Sequence, residues 1–104
     1  MIEKSLLEKA FGDVFIQASR QTRFIRDVEI AGLDFRVISS QDHGGSANWR
    51  MTIDSTRWRV TLTMNHSLSR VFRSGSQMID EVLYVRGDRA EIIEDLTAMR
   101  LALS

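Results

Sequence analysis

The 104-residue chain is 43% hydrophobic and 27% charged, balances 14 basic against 14 acidic residues, and holds neither cysteine nor proline. These values exclude a disordered polyelectrolyte and a disulfide scaffold, and the lack of thiols excludes cysteine nucleophiles and thiolate metal sites. The length is that of one domain with one core, so residues 1–104 are expected to fold as a single unit.

No apolar run approaches transmembrane length, and the start, Met-Ile-Glu-Lys-Ser-Leu-Leu-Glu-Lys, is charged throughout, unlike a secretory signal. A cytoplasmic location is the expectation. Charge is uneven along the chain: residues 20–79 carry 9 basic against 5 acidic side chains, residues 80–104 carry 3 against 6. Twelve of the 14 basic residues are arginine, a bias that a GC-rich coding sequence would also produce.

At the amino end Leu7, Ala10, Phe11, Val14 and Ala18 recur at three- and four-residue steps, which predicts an amphipathic helix. Ser5 with Glu8 is a candidate capping box, although the helix has material to start as early as Ile2. Leu6, Phe15 and Ile16 widen the apolar surface beyond one stripe, and a dimer partner is one use for the excess.

Next, Val28 and Ile30, then Leu33, Phe35 and Val37, alternate with polar residues about Ala31-Gly32. This is a hairpin pattern. With Gly32 first in a type II′ turn, Ile30 faces Phe35 and Val28 faces Val37, while Asp27, Glu29, Asp34 and Arg36 point the other way. Residues 39–47 (Ser-Ser-Gln-Asp-His-Gly-Gly-Ser-Ala) read as a loop. Asp42-His43 within it is a candidate acid/base or metal pair, but no second ligand pattern accompanies it and His66 is the only other histidine.

The stretch from 48 to 65 is the strongest signal. Trp49, Met51 and Ile53 alternate, and Trp58, Val60, Leu62 and Met64 alternate again. A turn through Ser55 and Thr56 sets Ile53 against Trp58, Met51 against Val60 and Trp49 against Leu62, so all apolar residues share a face. The opposite face then carries Arg50, Thr52, Asp54, Arg57, Arg59, Thr61 and Thr63, with Asp54 placed to pair with Arg57 or Arg59. Its arginines suit phosphate or carboxylate recognition. A water-facing antiparallel sheet explains the same pattern.

After Met64, residues 66–73 fit a short helix or an edge strand, and Ser74-Gly75-Ser76 breaks them. Met78 to Val85 is β-rich, and its alternation puts Val82 and Tyr84 on the buried face. Arg86-Gly87-Asp88 matches an adhesion tripeptide only by chance; Asp88 is better read as the N-cap of a last helix, with Glu91 closing a capping box. In that helix Ile92, Leu96, Met99 and Leu103 form a stripe that Ile93 and Leu101 widen.

The order of helix, four or five strands and helix predicts a two-layer α+β domain, an antiparallel sheet with both terminal helices packed on one face. No catalytic motif is present: there is no GxSxG, P-loop or HExxH, and adjacent Asp80 and Glu81 point to opposite sides of a strand. No cofactor or metal is expected. The expectation is a non-enzymatic module that binds another protein as regulator, inhibitor, adaptor or chaperone, and is itself a homodimer through one of its helices. The alternative is nucleic-acid binding through the arginine face, against which the zero net charge weighs. Arg50, Arg57, Arg59, Trp49 and Trp58 are the candidate binding residues, the tryptophans being core if the helices cover them.

Overall fold

A computed structural model describes residues 2–41, 48–65 and 79–103. Helix α1 (Lys4–Ser19) leads into strands β1 (Arg23–Ile30), β2 (Leu33–Gln41), β3 (Asn48–Asp54), β4 (Arg59–Asn65) and β5 (Ile79–Arg86), and helix α2 (Arg89–Leu103) closes the chain. The strands form one antiparallel sheet in sequential order, β1-β2-β3-β4-β5. Both helices cover one face of it, giving the two-layer α+β architecture expected from the pattern.

Between the layers, Leu7, Phe11, Phe15 and Ala18 of α1 and Ile92, Leu96 and Met99 of α2 meet Phe35, Val37, Met51, Ile53, Val60, Leu62, Met64 and Ile79 of the sheet, all essentially inaccessible. Each large apolar side chain buried in this way contributes about 1.5–3 kcal/mol. Three rings run through the centre: Phe11 meets Phe35 edge-on at 5.2 Å, and Phe35 meets Trp58 at 5.5 Å. The breadth of α1 is used within the chain itself, because α1 packs on α2 as well as on the sheet: Phe15 is fully buried, and Leu6 and Ile16 are half-buried against the core. In α2 the widening residues Ile93 and Leu101 stay exposed.

Both hairpins differ from expectation by a two-residue register shift. In the first, Ala31 (φ 55°) and Gly32 (φ 77°) together form the turn, so Ile30 pairs with Leu33, Val28 with Phe35 and Arg26 with Val37. Two successive left-handed residues give the tight loop whose twist matches the strands, and glycine takes its second place. In the second, Asp54 pairs with Arg59, leaving a four-residue loop, Ser55 to Trp58, so that Ile53 faces Val60, Met51 faces Leu62 and Trp49 faces Met64. Ser55 builds that loop: its N–H donates to Trp58 O (2.9 Å), and its Oγ accepts the N–H groups of Arg57 (3.2 Å) and Trp58 (3.0 Å). A shift of two keeps each side chain on its face, so the faces were foreseeable when the partners were not.

The ends of the helices also depart from expectation in detail. Glu3 is the N-cap of α1 without a side-chain cap, and Ser5 lies inside the helix. Glu8 instead accepts the backbone N–H of Ile79 at 2.8 Å, while Lys4 donates to Asp80 O at 2.6 Å, which ties α1 to β5. Asp88 does cap α2, its Oδ1 accepting the Ala90 N–H at 2.8 Å. The expected loop residues Asp42 and His43, the segment 66–76 and Met78 lie outside the described residues.

Candidate functional site

Among the described residues, the face of the sheet turned away from the helices is left uncovered. Register places its side chains in three rows that cross all five strands. The middle row runs Ile25, Ile38, Thr52, Thr61, Tyr84. One flanking row runs Arg23, Ser40, Arg50, Thr63, Glu81, and the other Asp27, Arg36, Asp54, Arg59, Arg86. Glu29 and Asp34 pair beyond the second.

The middle row is apolar at both ends and hydroxylic in the centre. Ile25 is 61% exposed, Ile38 41% and Tyr84 55%, while Thr52 and Thr61 lie with their hydroxyls 3.4 Å apart. Tyr84 reaches this row because β5 is irregular. A register break between Thr61 and Leu62 lets Tyr84 and Val82 oppose successive residues of β4, so Val82 packs against the core and Tyr84 faces outward. Strict alternation had placed both on the buried side; the bulge overturns that for Tyr84.

The charged row alternates in sign from Asp27 to Arg59 and ends on a second arginine, Arg86. Arg36 donates to Asp27 through Nε (2.8 Å) and Nη2 (3.3 Å), and Arg59 donates to Asp54 through Nε (3.2 Å) and Nη2 (2.7 Å), both two-pronged pairs. The hydrogen bond from Arg59 holds the Asp54 carboxyl below the usual carboxylate range, and Arg36 does the same to Asp27. Among the described residues of the face five arginines (23, 36, 50, 59, 86) stand against five carboxylates (27, 29, 34, 54, 81).

The sequence-predicted residues divide between this face and the core. Arg50 and Arg59 lie on the open face with Thr52, Asp54, Thr61 and Thr63, as expected. Arg57 does not, because it belongs to the β3–β4 loop rather than to a strand. Its Nη2 donates to Asp95 of α2 at 2.5 Å, and Glu91 lies 3.7 Å from its Nε. Trp58 is a core residue, 1% exposed, whose indole Nε1–H donates to Asp95 Oδ2 at 2.8 Å. Asp95 is thus buried with two donors, and it fastens the loop to the helix layer. The backbone of Trp49 pairs with Gln41 and Met64, and its side chain lies outside the described ones.

No family model, curated protein or solved structure matches the chain. Among the described residues no group of three or more potential metal ligands occurs, and no helix is long and apolar enough to cross a membrane.

The apolar members of the middle row were not foreseen from the sequence. Their signal is local: Ile25 follows the core residue Phe24, and Ile38 follows the core residue Val37, so each breaks an alternation that leaves polar residues outside. An apolar residue on the solvent side of a strand is unremarkable alone. Only the register aligns Ile25, Ile38 and Tyr84 from three strands into one stripe.

Proposed function

We propose that this protein is a non-enzymatic binding module that docks a protein partner on the open face of its sheet. The observation that supports it is the exposed row of Ile25, Ile38 and Tyr84 between two charged rows. A row of apolar side chains framed by hydrogen-bonding and charged groups has the anatomy of a protein interface, where arginine and tyrosine are favoured over lysine. Among the described residues every cation of this face is an arginine.

The competing function, phosphate recognition by an arginine strip, calls for accumulated positive charge. Here Arg36 and Arg59 are engaged by Asp27 and Asp54, and five arginines meet five carboxylates across the face. The same neutrality suits a protein surface. We place the module in the cytoplasm, where a chain without cysteine gives up no stabilising disulfide.

The test is the triple substitution Ile25→Thr, Ile38→Thr, Tyr84→Thr, which keeps β-propensity and alters exposed positions only. Tagged wild type and variant are used to capture partners from a lysate of the source organism, with and without nuclease and at low and high salt. Stoichiometric capture of a protein by the folded wild type, resistant to nuclease and lost in the folded variant, is expected. Capture of nucleic acid that salt removes, with the row variant unaffected, refutes the proposal.

A further inference from the structure

We infer that the occupant of the open face is a second copy of this chain, related by a two-fold axis that runs along the row Ile25–Ile38–Thr52–Thr61–Tyr84. The inference rests on the reading of this face as a protein-docking surface and commits it to one partner. A half-turn about that row leaves every strand over its own counterpart and reverses its direction. The middle row then meets itself: Ile25 on Ile25, Ile38 on Ile38, Tyr84 on Tyr84. The two flanking rows exchange.

That exchange is what singles out this axis. It brings Arg23 over Asp27 of the second copy on β1, Arg50 over Asp54 on β3, and Glu81 over Arg86 on β5. Each contact occurs twice by symmetry, so six opposite-charge juxtapositions form and no like charges meet within the three described rows. On β2 and β4 the neutral hydroxyls Ser40 and Thr63 fall over Arg36 and Arg59, which have already engaged Asp27 and Asp54. The other half-turn in the plane of the sheet, along the strands, sets Arg23 over Glu81 and Asp27 over Arg86 but also Arg36 over Arg59, Arg50 over itself and Asp54 over itself, so its like-charge contacts offset its opposite-charge ones. The charge pattern therefore distinguishes one self-docking mode from the other.

Shape agrees. A twisted sheet is carried onto itself by a half-turn about a line perpendicular to its strands, so the two faces remain parallel and pack in the aligned manner of a sandwich, about 10 Å apart. Five strands spaced about 4.8 Å apart, with seven residues rising about 3.3 Å each, span roughly 24 × 23 Å. A face of that size approaches the ~800 Å² that each partner buries in a standard interface once side-chain relief is included.

The experiment is sedimentation equilibrium on the full chain, combined with charge reversal and crosslinking. Wild type is expected to be a dimer. Arg50→Asp sets aspartate against Asp54, while Glu81→Arg and Arg86→Glu each create a like-charge pair with the untouched partner position. Each single change is expected to weaken the dimer by at least about tenfold, and the double Glu81→Arg/Arg86→Glu, which restores opposite charges, to recover most of the affinity. Because the chain has no cysteine, one introduced by Ile38→Cys, on the axis, is expected to crosslink to its counterpart through a short bismaleimide. Ala98→Cys on the exposed side of α2 is expected to stay uncrosslinked under the same reagent.

A monomer at every concentration overturns the inference, as does a dimer that crosslinks at Ala98 and not at Ile38. A double reversal no tighter than the singles overturns this register. If the chain is monomeric and the Ile25/Ile38/Tyr84 variant still loses a captured partner, self-docking fails and the docking face stands. If the variant loses nothing, both fail.

Discussion

Asp95→Ala removes the buried carboxylate that joins the β3–β4 loop to α2. The Trp58 indole N–H, inside a side chain only 1% exposed, then loses its acceptor at 2.8 Å. Leaving a buried donor unpaired costs about 1–3 kcal/mol. Alanine returns about 0.5 kcal/mol of helix propensity relative to aspartate at this interior position of α2. The expected net loss is about 0.5–2.5 kcal/mol, or a fall in Tm of roughly 2–20 °C for a chain of this size. Urea unfolding measures it as a lower midpoint at unchanged slope. Arg57→Ala leaves the Trp58 contact in place and removes only a half-exposed guanidinium, so its effect is expected to be well below that of Asp95→Ala. In a Trp58→Phe background there is no indole donor to orphan, so Asp95→Ala should cost less than in wild type, and the double-mutant cycle should show coupling of about 1 kcal/mol or more. An Asp95→Ala protein as stable as wild type, or a cycle with no coupling, would refute the assignment of Asp95 as a buried clamp.

Two further outcomes follow from local geometry. Gly87 has φ of +114°, and a Cβ there would lie 2.8 Å from both Arg57 O and Trp58 Cβ, so Gly87→Ala combines backbone strain with a clash against the same loop. A loss of at least about 2 kcal/mol by thermal or urea unfolding is expected. Acidification should destabilise the fold. Asp54 and Asp27 ionise at lower pH when folded than when unfolded, since Arg59 and Arg36 hydrogen-bond their charged forms. The unfolded chain therefore takes up more protons as pH falls through the carboxylate range. The stability these pairs contribute is complete above the unfolded pKa of about 3.9 and is lost as pH drops through the lowered folded value. Urea midpoints from pH 6 to pH 2 should decline, and Asp54→Asn should reduce the slope; a profile unchanged by Asp54→Asn would remove that carboxylate from the cause.

Much of the architecture was legible because it depends on period. Alternation in residues 28–37 and 48–65 and three- to four-residue spacing in α1 and α2 encode which face of each element is apolar, and apolar faces have few ways to bury one another. Position in that pattern also placed Arg50, Thr52, Asp54 and Arg59 on the open face. Turn geometry was less accessible. Whether Ala31 accepts a left-handed conformation, or Ser55 closes a four-residue loop, is decided by local hydrogen bonds and strand twist, and the consequence was a two-residue slip in both hairpins and the removal of Arg57 from the arginine row.

The sequence by itself determined the layers: which face of most elements is apolar, and that a helix precedes and a helix follows the strands of an antiparallel sheet. Side-chain periodicity is a property of the single chain, and burial of apolar surface follows from it. Only the tertiary structure decided which residues become neighbours. The clamp of Arg57 and Trp58 on Asp95 spans 38 and 37 residues of sequence, and the stripe of Ile25, Ile38 and Tyr84 exists only once register and a bulge in β5 are in place. Such contacts arise from ladder hydrogen bonding between strands and from loop closure. Neither leaves a periodic trace in any one segment, which is why the surface that most resembles an interface was the part of the molecule the sequence concealed.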